Sequence, residues 1–205
     1  MSALRPDLAV IARNVRPGTR VLDIGCGDGA LMAAMQSDCN CDARGMEVDP
    51  VLVERCVARG LSVVQGDADR DLADYPDKAF DYAILSQTLQ TAARPDRMLD
   101  ELLRVGRQAF VSFPNFAHWR TRAALTLRGR MPVTRHLPVS WYETENIHHV
   151  TVADFRELIA AKGVRCERAW YFSGSCCASR SSAASAAGST SVRSSPSPMS
   201  SASCD

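Results

Sequence analysis

The stretch Val21-Leu-Asp-Ile-Gly-Cys-Gly-Asp-Gly-Ala-Leu31 constrains this chain more than any other. The mostly aliphatic run Arg20 to Ile24 reads as a buried strand. Three alternating glycines follow it, Gly25, Gly27 and Gly29, and an apolar helical pattern opens at Ala30. Glycine takes up positive φ at little cost and lets another molecule approach the backbone closely. The helix start behind it presents unpaired N–H groups. Strand, glycine turn and helix in this order form a cofactor-binding turn of the nucleotide type, and they point to an α/β fold.

Two cofactors compete for the turn. Gly25, Gly27 and Ala30 satisfy the dinucleotide pattern G-x-G-x-x-G/A, which by itself is weak evidence for NAD. Asp23, two residues before the first glycine, favours S-adenosylmethionine: a carboxylate there can hold a cationic amino group, which the methionine part of that cofactor has and NAD lacks. Glu47 ends the second apolar run at the spacing of a carboxylate that binds ribose hydroxyls, and either cofactor would accept it. Asp67, in Val64-Gln-Gly-Asp-Ala68, follows a third strand and could accept a hydrogen bond from an adenine amino group. The ordered set selects S-adenosylmethionine, or its demethylated product S-adenosylhomocysteine. The candidate cofactor-binding residues are Asp23, Gly25, Cys26, Gly27, Gly29, Glu47, Asp67, Ala68 and Ser86.

Composition excludes several classes. The 205 residues carry a formal net charge of +1, so no global field draws the chain to nucleic acid or to an anionic membrane. No run approaches the length of a membrane span, and the N-terminus lacks the apolar segment of a signal peptide. A cytoplasmic location follows as an expectation. The eight cysteines sit in unrelated contexts, which suits free thiols better than disulfides. Neither Cys39-Asn-Cys41 nor Cys176-Cys177 has the paired spacing of a structural zinc site, so no metal is expected.

Along the chain, apolar runs and helical patterns alternate. Expected strands are Arg20–Ile24, Ala43–Glu47, Ser62–Gln65, Phe80–Leu85, Gln108–Phe113 and Arg165–Phe172. Expected helices are Pro6–Asn14, Ala30–Gln36, one from Pro50 to Gly60, one opening at Pro95, and Val152–Lys162 capped by Thr151. This alternation predicts a Rossmann-like, doubly wound sheet with ligands at the carboxyl ends of the strands. Phe116 to Ile147 breaks the rhythm and reads as an aperiodic insertion rich in aromatic residues and arginine, expected to serve as a lid or contact surface. After Phe172 the composition turns to Ser and Ala without apolar periodicity. Residues 173–205 are expected to be a disordered tail beside the domain of residues 1–172, its removal leaving thermal stability unchanged.

Further motifs carry a resemblance. Ser86-Gln-Thr-Leu-Gln90, Glu101-Leu-Leu-Arg-Val-Gly106, Ser112-Phe-Pro-Asn-Phe-Ala-His-Trp119, Gly129-Arg-Met-Pro132 and Trp141-Tyr-Glu-Thr-Glu-Asn-Ile-His148 together resemble the MetW family of methionine biosynthesis, on a class I methyltransferase fold. The resemblance spans about Leu8 to Phe172. It implies S-adenosylmethionine binding and a role beside a homoserine O-acyltransferase (MetX), whose activity family members support. It also implies an apolar seventh strand slotted antiparallel between strands five and six. Residues 173–205 offer no apolar candidate, so that strand is expected to be missing and the tail to come from a frameshifted reading frame, with an evolved linker as the alternative. The chain has no G-x-S-x-G elbow, which leaves acyl transfer to the partner. The competing reading is an active methyltransferase on a small-molecule acceptor. Asn115 could then orient the acceptor, and His118, His148 and His149 are the imidazoles at hand. No residue is assigned as catalytic. The Asn/Asp-Pro-Pro-aromatic motif of nucleic-acid methylation is absent after strand four.

Overall fold

A computed structural model describes residues 4–132, 148–172, 178–179 and 187–194. Helix α1 (Pro6–Asn14) precedes β1 (Arg20–Ile24), and α2 (Ala30–Cys39), β2 (Asp42–Glu47), α3 (Pro50–Ala58) and β3 (Ser62–Gln65) follow. Then come α4 (Ala68–Asp71), β4 (Phe80–Ser86), α5 (Pro95–Val105), β5 (Gly106–Phe113), α6 (Trp119–Arg128), α7 (Val152–Ala161) and β6 (Val164–Phe172). Two short main-chain segments, β7 (Ala178–Ser179) and β8 (Ala187–Ser194), end the described chain.

The sheet runs β3-β2-β1-β4-β5-β8-β6-β7, with the first five strands parallel. Strand order reverses between β1 and β4, the switch point at which open α/β sheets bind ligands. Side-chain alternation divides the interior into two layers. Leu22, Ile24, Ala83, Leu85, Val111 and Phe113 pack with α5 and α7. Val21, Tyr82, Ile84 and Phe110 pack with α1, α2 and α3. The same alternation places Asp23, Ser86 and Ser112 on the second of these faces, at the carboxyl ends of their strands. Polar side chains therefore meet where the apolar layer stops.

Two sequence expectations are corrected. The segment 116–147 is not aperiodic throughout, because α6 occupies part of it. His118 caps that helix by accepting from the Arg120 amide, and Gly129 closes it in the left-handed region at φ 60°. Only Thr121 of α6 is buried, so no apolar stripe betrays the helix in the sequence. Residues 133–147 lie outside the described residues. The strand expected to be missing is also present. β8 lies antiparallel between β5 and β6, pairing Val111 with Thr190 and Ala169 with Thr190. The physical reason is that the facing edges of β5 and β6 each present a row of N–H and C=O groups, and main-chain pairing satisfies them whatever the side chains are. The disorder expected of the tail is thereby overturned for 178–179 and 187–194. The rest of 173–205 lies outside the described residues.

Truncation after Phe172 should accordingly lower the melting temperature instead of leaving it unchanged, at roughly 0.5–1.5 kcal/mol per lost hydrogen bond. Thr190→Pro should do part of the same damage by removing one donor from a central strand. Thermal denaturation of the full chain, the truncation and the proline variant checks both.

Candidate functional site

The turn after β1 is held from below. The amides of Gly25 and Cys26 both donate to the Met46 carbonyl, at 2.8 and 3.2 Å. The Gly27 amide donates to Glu47 Oε2 at 2.8 Å, while Glu47 Oε1 accepts from Val48 and Asp49 at 2.9 and 3.1 Å. All three glycines have positive φ (68°, 58° and 74°). They do different work. A Cβ on Gly27 would meet nothing within 4 Å, so this glycine faces open space. A Cβ on Gly29 would stand 2.3 Å from Leu61 Cδ1 and 2.9 Å from Cys56 Sγ, so this glycine lets α2 pack against α3 and its flanking chain.

A cavity of about 370 Å³ opens above the turn, lined by Arg5, Leu8, Asp23, Gly25, Cys26, Gly27, Asp28 and Ser86 among others. That volume suits a nucleoside-sized ligand. Asp23 is 2 % exposed, and no described residue donates a hydrogen bond to its carboxylate. Burial pushes its pKa up to about 7; the Arg5 guanidinium pulls the value down and the Glu47 carboxylate pushes it up. A buried carboxylate without a partner is costly, and one that faces a cavity is poised for a cation from outside.

Helix α1 roofs the cavity. Arg5 Nη2 donates to Asp7 Oδ2 and to Ser86 Oγ, each at 3.1 Å. Asp7 Oδ2 also accepts from the Ser86 and Ser112 hydroxyls at 3.3 Å. Its first turn is thus latched to the ends of β4 and β5, where Ser86 and Ser112 are register partners.

Of the nine residues named from the sequence, the cavity brings together Asp23, Gly25, Cys26, Gly27 and Ser86. Glu47 stands behind the turn as its anchor. Gly29 supports helix packing instead of lining the cavity. Asp67 caps α4, accepting from the Asp69 amide at 3.0 Å, and Ala68 is the first residue of that helix; both lie at the carboxyl end of β3, outside the cavity lining. Sequence reasoning missed Arg5, Asp7, Asp28 and Ser112. A usable signal existed for Ser112, a polar residue ending an apolar strand beside Ser86. Nothing in the spacing ties Arg5 to the glycine turn, because only the fold brings α1 over it.

A second hollow of about 340 Å³ lies beyond the end of β4, lined by Leu89, Pro95, His148, His149 and residues of α7. Next to it, Gln90 Oε1 and His148 Nε2 are buried without a hydrogen-bond partner, although the His148 amide donates to the Gln90 carbonyl at 3.0 Å. No group of three or more His, Cys, Asp or Glu side chains suited to a metal occurs among the described residues. Cys26, Cys39, Cys41, Cys56 and Cys166 are free thiols. No helix of the described residues is long and apolar enough to cross a membrane.

Comparison with known proteins agrees with this geometry. Residues 5–191 match the family model of methionine biosynthesis protein MetW, a range that reaches into β8. A bifunctional methionine biosynthesis protein MetXA/MetW from Rhodopirellula baltica is 34% identical over 170 residues, which cover 78% of this chain and 27% of that protein. The chain thus spans about a quarter of that relative's length. Among solved structures, a SAM-dependent methyltransferase from Thermotoga maritima, described as a possible histamine N-methyltransferase, superposes with a TM-score of 0.65 at 16% identity, covering 92% of this chain and 88% of that one. The [4+2]-cyclase SpnF superposes with a TM-score of 0.62 at 23% identity, covering 82% of this chain and 60% of that one. At such identities these two show the fold, Rossmann-like and of the methyltransferase type.

Two substitutions separate the roles of the glycines. Gly29→Ala should destabilise by on the order of 2–4 kcal/mol, from left-handed strain and overpacking together. Gly27→Ala should cost only about 1–2 kcal/mol, from strain alone. Denaturant melts measure both. Asp23→Asn tests the buried charge. The folded pKa of Asp23 lies above the unfolded value, so its contribution to stability is full below about pH 4 and is lost as pH rises through about 7. The Asn variant should therefore be more stable than the parent near about pH 8, by on the order of 1–3 kcal/mol, with that advantage gone near about pH 4.

Proposed function

The chain belongs to the MetW family of methionine biosynthesis proteins, and from that premise we propose that it binds S-adenosylmethionine or S-adenosylhomocysteine and supports a MetX-type homoserine O-acyltransferase. The observation that carries the cofactor half is Asp23, a buried carboxylate with no donor among the described residues, beside a turn whose Gly27 leaves open space. The methionine part of the cofactor would bring its ammonium group to Asp23 and its carboxylate to Arg5, both in the cavity lining. The cation from the ligand would relieve the desolvation that raises the pKa of Asp23. NAD fits poorly, since its pyrophosphate would meet Asp23 and a Gly27 amide already committed to the Glu47 carboxylate. When bound, S-adenosylmethionine supplies an electrophilic methyl group.

The partner half is supported by the Rhodopirellula relative, in which MetXA and MetW share one polypeptide. A second reading, methyl transfer to a small-molecule acceptor, draws on Gln90 Oε1 and His148 Nε2. These unsatisfied buried atoms beyond β4 could bind an acceptor carrying complementary polar groups.

Calorimetry with S-adenosylhomocysteine should show binding, and NAD none. Affinity should be level above about pH 7 and fall toward tenfold per unit below it, because the free carboxylate must then lose a proton to receive the cation. Asp23→Asn should abolish that slope. Binding of NAD in place of the sulfonium cofactor would overturn the cofactor reading. Co-purification with the cognate acyltransferase and an acyl-transfer assay with and without this chain test the partner. Methylation of a candidate acceptor that Gln90→Leu removes while cofactor binding persists would favour the second reading.

A further inference from the structure

Helix α6 is the least buried long element of the described chain. Trp119 is 57% exposed, Leu125 45% and Leu127 83%, and only Thr121 is buried. Around these apolar side chains stand Arg120, Arg122, Arg128 and Arg130, all exposed. None of the four makes an ion pair with another described residue. The sequence from Leu102 to Tyr142 contains no Asp or Glu. By contrast, Arg59 is paired with Asp28 and Arg94 with Asp96. On α6, then, exposed arginines and exposed apolar side chains stand together with no acidic partner among the described residues. The Arg120 guanidinium lies 5.4 Å from the centroid of the Trp119 ring, a cation–π contact that holds both side chains outward as a unit.

We propose that α6 is the docking surface for the MetX-type acyltransferase, received by an acidic patch with an apolar centre on that enzyme. The inference rests on the functional reading above and adds the surface to it. Tryptophan and arginine are the residues that most often dominate binding energy at protein interfaces, and leucine supplies the dry contact around them. Charge complementarity selects a protein occupant over the alternatives. On the helix, Arg120 and Leu127 share one side, and Arg122 and Leu125 share another. Basic and apolar side chains are thus interleaved, whereas a helix lying in a membrane surface separates them onto opposite faces. A phosphate backbone would pair the arginines and leave Leu127 without an apolar partner.

The test uses the whole chain and the cognate acyltransferase. The triple variant R120E/R122E/R128E and the double variant W119A/L127S should each weaken binding by roughly thirtyfold or more. The parent complex should loosen with added salt, and the charge variant should lose that dependence. Both variants should keep the parent melting temperature and S-adenosylhomocysteine affinity, since α6 contributes nothing to the cavity. Variants that bind the acyltransferase as the parent does would overturn the surface while leaving the functional reading standing. A parent chain that neither binds the acyltransferase nor changes its rate would overturn both. Phosphatidylglycerol vesicles and duplex DNA complete the comparison: parent binding to either that the same variants lose, with acyltransferase binding intact, would reassign the helix and overturn the proposal.

Discussion

Two hydrogen bonds from consecutive amides to one carbonyl, those of Gly25 and Cys26 to Met46, hold the arrangement on which the rest of the structure depends. They bend the chain sharply at the top of β1 and fix the height at which α2 begins. Glu47 completes the anchor by taking the Gly27 amide. The turn is thus supported by the neighbouring strand and not by whatever occupies the cavity, so the site is shaped before a ligand arrives. Preorganisation of this kind lowers the ordering cost of binding. It also leaves the buried Asp23 carboxyl group without a hydrogen-bond donor among the described residues.

Much of the fold was legible in the sequence because parallel strands buried on both faces read as nearly unbroken apolar runs; Phe80 to Leu85 and Ala109 to Phe113 are such runs, each with one polar residue, Asp81 and Ser112. Gly60 and Gly163, both at positive φ, stand where helix-ending residues were expected. The hidden elements share a cause. Sequence patterns report side-chain burial, and α6 buries almost none. β8 enters the sheet through its main chain, which a Ser- and Ala-rich composition neither announces nor forbids. The glycine turn and Asp23 were visible because their chemistry is local. Arg5 and Asp7 were not, because their roles come from the packing of α1 across strand ends far along the chain.

The methyltransferase-type sheet is a scaffold on which different chemistries are built. The same architecture carries a methyltransferase and a [4+2]-cyclase among the solved structures. In this chain the segments beyond β4 and β5 hold the unsatisfied pair Gln90 and His148 and the arginine-rich helix α6.

The latch of α1 has a consequence for the order in which the molecule is assembled. Asp7 must find Ser112, 105 positions later, and Asn14 receives a hydrogen bond from Arg168, 154 positions later. Contacts of such separation close large loops and are slow to form. During synthesis α1 emerges before β4 and β5, yet it has nowhere to dock until they have followed. The roof of the cavity therefore settles only after β4 and β5, although its residues are made before theirs. A nascent or partly folded chain would display the glycine turn without its cover, and ligand affinity would mark the moment at which the distant strands have been joined.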